Sequence, residues 1–199
     1  SSVGHMGFVL LGVATAAAGS EIGLQAALLG NIAHGVITSL LFFVVGGLKD
    51  RWGSVDLARL AGAALRAPQL CALLCFGAVA SFGLPGLAGF WGEAFGILAA
   101  WRQGEAWWRT YAVIAAVAAA GVVSYFLRAL YRLMVPTPEA GSTVSSAPAP
   151  SGETRFSLRT GELLAVAPLV LATLVLGVWP GGVLALAADA VAAIAGGVN

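Results

Sequence analysis

Three ionisable side chains, His5, His34 and Glu93, stand in stretches otherwise made of apolar residues. An ionised group at the centre of a bilayer costs about 2.5–3.5 kcal/mol even on the lenient insertion scale. Such residues therefore face a bundle interior or a water-filled path, where proton relay is one reason to keep them. Imidazole titrates near neutral pH and can accept and pass a proton at little cost. A carboxyl group enclosed by apolar and backbone groups can likewise be loaded and unloaded. The chemistry these types offer together is proton transfer.

The surroundings of each residue sharpen or weaken that reading. Asn31, His34 and Thr38 are spaced by three and four, which puts them on one face of a helix as a narrow polar seam. The seam can hold ordered water, or it can serve only for hydrogen bonds that lock helices together. Taken alone, His5 is better read as a helix-end histidine reaching water, or as part of a cloning remnant in Gly4-His5-Met6, than as a relay. Glu93 carries the sharpest signal, because it follows Gly83-Leu84-Pro85-Gly86-Leu87-Ala88-Gly89-Phe90-Trp91-Gly92. Proline removes a backbone donor and glycine loosens a helix, so Gly83, Pro85, Gly86 and Gly89 predict a helix break just before the carboxylate. Broken helices in transporters free backbone groups and aim half-helix ends at an ion. A protonated Glu93 bonded to carbonyls at the break is the structural alternative. Ser124 and Tyr125 are weaker candidates for a polar path, and Arg128 and Arg132 read as snorkelling side chains.

The elements that must position these residues are transmembrane helices. Hydrophobic residues make up 59% of the 199, only 10% are charged, and mean hydropathy is +0.92. Soluble domains carry about a quarter charged residues, and about 20 apolar residues span a bilayer as a helix. The fold expected is all-α and integral to the membrane, with about five spans. They cover about residues 2–18, 24–48, 68–101 (broken near 83–89), 110–134 and 161–179. The segment 52–68 suits an interfacial amphipathic helix, and the tail 182–198 reads as another. Residues 136–156, rich in Pro, Ser, Ala and Gly, read as a flexible loop. Thr160 is placed to cap the last span, with Glu162 in its first turn. Trp101, Trp107 and Trp108 belong at a headgroup boundary.

Charge and composition narrow the partners. A formal charge of +1 leaves no basic face for nucleic acid. Cys71 and Cys75 lie four apart in an apolar run and read as small hydrophobes. No phosphate loop, nucleophile with a base, or metal-ligand cluster is present in the sequence. With five spans, Lys49, Arg51, Arg59, Arg66, Arg128, Arg132, Arg155 and Arg159 fall on one side, and Arg102 and Arg109 on the other. The positive-inside rule places the larger set in the cytoplasm and the C-terminus outside. The opening Ser1-Ser2, with no basic leader or cleavage pattern, reads as the head of a helix inside a longer protein rather than a signal peptide.

Three segments resemble a known family in order and spacing: Ser1-Ser2-Val3-Gly4-His5-Met6-Gly7-Phe8, then Ala33-His34-Gly35, then the Gly83 to Glu93 run. The family is the antiporter-like membrane subunits of respiratory complex I, in the branch of subunit M of bacterial NADH-quinone oxidoreductase. The resemblance covers most of the chain, loosely in the last two spans. It implies fourteen transmembrane helices in two inverted five-helix repeats, of which this sequence matches the last third. It also implies a bacterial inner membrane location, with other membrane subunits, lipid, protons and water as partners. The chain itself would bind no redox centre, leaving NADH, FMN, Fe–S clusters and quinone to other subunits. By motif match, His5 and His34 look like histidines of the family's central polar axis, and Glu93 like the acidic residue on its broken helix near the outward exit. Related branches carry lysine at that last position. The Lys and Glu of the family's earlier half-channel are not in this sequence, so the resemblance implies that this stretch alone does not pump.

Two rival functions share these features. A cation/proton antiporter or a membrane-bound hydrogenase uses the same type of subunit, and neighbouring genes would separate these from complex I. A purely structural membrane module would use the polar residues only to pack helices.

Overall fold

The computed structural model describes residues 1–135 and 157–186. Among them the chain forms helices α1 (Ser2–Ala17), α2 (Glu21–Trp52), α3 (Ala63–Arg66), α4 (Pro68–Ser81), α5 (Gly89–Arg102), α6 (Ala106–Met134), α7 (Thr160–Val178) and α8 (Gly181–Leu186). Helices α2, α6 and α7 are long and apolar enough to cross a membrane, and α1 and α4 are shorter apolar helices. The described chain is thus an all-helical integral membrane protein. The loop 136–156 and most of the tail, from 187 onward, lie outside the described residues.

Local chemistry sets the helix ends. Ser20 caps α2 by accepting from the Gly23 amide at 3.2 Å, with Glu21 in the first turn. The helix stops at Gly53, whose φ of 66° is left-handed, and Lys49 and Arg51 stand in its last turn. Pro68 opens α4 at a position where its missing N–H costs nothing. The segment 53–67 differs from the interfacial helix expected of it. It is mostly turns, with Gly62 left-handed at φ 71° and only four residues, Ala63–Arg66, helical. Its side chains Leu60, Ala63 and Ala67 instead join the buried cluster around Leu40, Val44, Leu48 and Leu70.

The start of α7 also differs from expectation. Its N-cap is Arg159, with Thr160 already helical, and Glu162 Oε2 accepts from the Arg159 amide at 2.8 Å. The same carboxylate binds a side chain from α2. Arg51 Nη1 donates to its Oε1 and Nη2 to its Oε2, both at 2.8 Å. Arg51 also donates to the carbonyls of Gly47 and Ser157. This forked pair, with side chains 6% and 24% exposed, binds the end of α2 to the start of α7 and puts both at one end of the bundle. Bidentate geometry and partial desolvation make it stronger than an ordinary surface pair. Arg51→Met should cost about 1.5–3 kcal/mol. A double-mutant cycle with Glu162→Gln, read by thermal unfolding in detergent, should return a coupling above about 0.5 kcal/mol.

Helices α1, α2 and α5 meet through small residues, as membrane helices do when dispersion and close approach replace the hydrophobic drive. A Cβ at Gly12 of α1 would stand 2.8 Å from the backbone of Gly23 and Ala27 in α2, and one at Gly92 of α5 would stand 2.5 Å from the Cα of Gly30. With glycine backbone forming much of these crossings, α2 lies close enough to both neighbours for their polar side chains to reach one another.

Candidate functional site

The break between α4 and α5 builds the site. Helix α4 ends at Ser81, the chain turns through Gly83 (φ 69°) and Gly86 (φ 93°), and α5 starts at Gly89. Both left-handed turns need glycine. A Cβ at Gly83 would press on Oε2 of Glu93 and displace its carboxyl group, and one at Gly89 would run into the Ala80 carbonyl. The Glu93 carboxyl group thus folds back against the turn that precedes it. Pro85 sits exposed at the apex. The indole of Trp91 donates to the carbonyl of Gly177 near the end of α7, at 2.8 Å. That bond fixes the first turn of α5 and with it the direction of Glu93.

Three helices bring the three ionisable residues together. His5 from α1 has Nε2 3.9 Å from Oε1 of Glu93 in α5; the two side chains are 13% and 12% exposed. Nδ1 of His5 is 3.3 Å from Nδ1 of His34 in α2, with ring centroids 5.3 Å apart. Thr38, one turn further along α2, has its hydroxyl 3.3 Å from His34. A chain of polar groups therefore runs Thr38–His34–His5–Glu93. Asn31 does not join it. Although it lies on the same helix as His34, its side chain is exposed and has no hydrogen-bond partner among the described residues.

A small cavity of about 20 Å³, room for about one water, follows this chain, walled by Phe8, Ala33 and Ile37 on the apolar side and by His5, His34 and Glu93 on the polar side. It gives ordered water several groups to bind. Ser81 also lines it, and was not singled out by sequence reasoning: its carbonyl and hydroxyl oxygens each lie 3.1 Å from Nε2 of His5. Its position as the last polar residue before Gly83 was the available signal. Ser124 bonds back to the Ala120 carbonyl within α6, outside this chain of groups. Among the described residues no cluster of His, Cys, Asp and Glu is arranged to hold a metal ion. The arrangement can accept a proton at one end and give it up at the other.

Comparison with known proteins gives the arrangement a context. Residues 1–119, which contain every member of the polar chain, match the family described as NADH:quinone oxidoreductase/Mrp antiporter, transmembrane. NADH-quinone oxidoreductase subunit M of Pseudomonas aeruginosa is 34% identical over 94% of this chain and 33% of its own length. NAD(P)H-quinone oxidoreductase chain 4 3 of a Picosynechococcus strain is 38% identical over 70% of this chain and 25% of its own length. A chain of respiratory complex I from Thermus thermophilus superposes with a TM-score of 0.77 at 30% identity, covering 98% of this chain and 38% of that one. The sequence thus spans a third or less of the curated relatives it matches, and it shares its fold with the matching part of the Thermus chain. The chain belongs to the NADH:quinone oxidoreductase/Mrp antiporter transmembrane family.

Proposed function

We propose that this chain is part of a proton-translocating membrane subunit of an NADH:quinone oxidoreductase, in which electron transfer elsewhere in the complex drives protons across the membrane. The observation that carries the proposal is the convergence of His34, His5 and Glu93 from three helices at a helix break. Each transfer along this chain needs a movement of an ångström or less, or one water. The redox groups (NADH, FMN, Fe–S clusters and quinone) then belong to other subunits of the complex. The chain works as a multi-pass span set in a bacterial inner membrane, with its C-terminus outward and the break contained in the third of five spans. Its partners are the neighbouring membrane subunits, lipid, water and protons.

The function is tested on the full-length protein in its complex, reconstituted in vesicles. His34→Gln keeps a polar side chain but cannot carry a proton near neutral pH. Proton uptake per NADH should fall while assembly and quinone reduction in uncoupled vesicles persist. An unchanged ratio of protons to electrons would favour the structural-module reading. Uptake driven by a sodium gradient, without NADH, would favour the antiporter.

A further inference from the structure

Ser81 touches His5 with two chemically different oxygens. The residue closes α4, so its carbonyl has no helical partner further along the chain, and it is 1% exposed. A carbonyl can only accept, whereas a hydroxyl can accept or donate. Both lie 3.1 Å from Nε2 of His5. When Nε2 carries hydrogen, it donates to the carbonyl. When Nε2 is bare, the hydroxyl donates to it. Either state is satisfied without moving a helix, and in so enclosed a place an unanswered ring nitrogen is costly.

The other ring nitrogen of His5 faces Nδ1 of His34 at 3.3 Å. One of those two nitrogens must carry the hydrogen of that contact. In neutral His5 the two ring nitrogens hold one hydrogen between them. The state at Ser81 therefore sets the direction of the bond to His34. With hydrogen on Nε2, His5 accepts from His34; with Nε2 bare, His5 donates to it.

We infer that Ser81 is a positioning residue that keeps both neutral tautomers of His5 accessible, so that protons pass through the ring from His34 to Glu93. The inference rests on the proton-translocating reading above. In the step, protonated His34 gives its Nδ1 hydrogen to the bare Nδ1 of His5, which becomes imidazolium. His5 then releases its Nε2 hydrogen to the Glu93 carboxylate, which swings in from 3.9 Å. One N–H bond forms and one breaks on His5, one N–H bond breaks on His34, and one O–H bond forms on Glu93. His34 is left neutral, and His5 is left with hydrogen on Nδ1 and a bare Nε2, to which the Ser81 hydroxyl turns. The next forward passage requires the first tautomer again, for which the Ser81 carbonyl stands ready to accept from Nε2.

The test uses the full-length protein in its complex, in vesicles, with Ser81→Ala, Ser81→Thr and Glu93→Gln side by side. Ser81→Ala removes the hydroxyl that donates to bare Nε2 once Glu93 has passed its proton on, and should lower proton uptake per NADH about tenfold. It should also raise the solvent deuterium isotope effect on uptake, because transfer through His5 becomes limiting. Ser81→Thr keeps the hydroxyl and should restore both readings toward wild type. A packing role for Ser81 would leave the isotope effect at its wild-type value. Normal uptake in Ser81→Ala beside a defective Glu93→Gln overturns this inference alone. So does a loss shared by Ser81→Ala and Ser81→Thr at an unchanged isotope effect, since bulk rather than the hydroxyl would then matter. Normal uptake in Glu93→Gln overturns the proton-translocating reading and this inference with it.

Discussion

Glu93→Gln should leave the complex assembled and cut proton movement through this chain tenfold or more, an increase of about 1.4 kcal/mol or more in the barrier. Glutamine has nearly the same shape and can still donate to or accept from the groups around the break. Its amide does not take up or release a proton in the working pH range, so only the exchange is lost. The geometry makes the substitution a clean one: the carboxyl group lies against Gly83, where no side chain has to rearrange. Proton uptake in vesicles and the amount of assembled complex, measured on the same preparation, check the two halves of this expectation. Reduced uptake that merely follows reduced assembly would instead make Glu93 a packing residue.

Gly92→Ala should be the most damaging single methyl addition at the α2–α5 crossing. The new Cβ would stand 2.5 Å from the Cα and 2.9 Å from the amide nitrogen of Gly30. Both are backbone atoms, so no rotamer can relieve the contact and α2 and α5 must part. Overpacking of this kind costs about 1–3 kcal/mol, and alanine's better helix propensity, about 1 kcal/mol, offsets only part of that. The shift also falls on the residue next to Glu93 and should lengthen its distance from His5. Gly35→Ala supplies the control, since a Cβ there meets nothing within 4 Å and should be neutral or stabilising by up to about 1 kcal/mol. Thermal unfolding in detergent should order the proteins Gly35→Ala, wild type, Gly92→Ala, from most to least stable. Equal stability of the two variants would mean that the α2–α5 crossing yields more readily than backbone contact implies.

What could be read in the sequence is what depends on neighbours along the chain. The break before Gly89 was legible because Gly83, Pro85 and Gly86 each disfavour helix locally. The long apolar helices were legible from run length. His5, His34 and Glu93 were each visible as ionisable residues in apolar surroundings. Their meeting followed only from the family resemblance, because His5 and His34 are 29 residues apart and no local rule sets how helices cross. The same reason hid Ser81, 76 residues from His5, and Arg51 with Glu162, 111 residues apart. Asn31 shows the opposite limit. Helical spacing put it on the face of His34, but one turn further toward the helix start that face has already turned outward. The segment 53–67 looked amphipathic because leucines and arginines alternate loosely there. Its turns at Gly53 and Gly62 let Leu60, and in part Leu57, fold inward without a long helix, while Leu65 stays exposed.

Helix α7 is held at both ends, by Arg51 on Glu162 and by the Trp91 indole on Gly177. Its 19 residues make a rod about 28 Å long, anchored at one end to the foot of α2 and at the other to the first turn of α5. Pro168 lies near its middle, where the missing N–H leaves one rung out of the hydrogen-bond ladder. A displacement at the Arg51 end thus has two mechanical outcomes. If the rod stays stiff, the push arrives at Trp91, two residues from Glu93, and reorients the carboxylate. If the rod flexes at Pro168, the motion is absorbed there and the two ends of the bundle become independent.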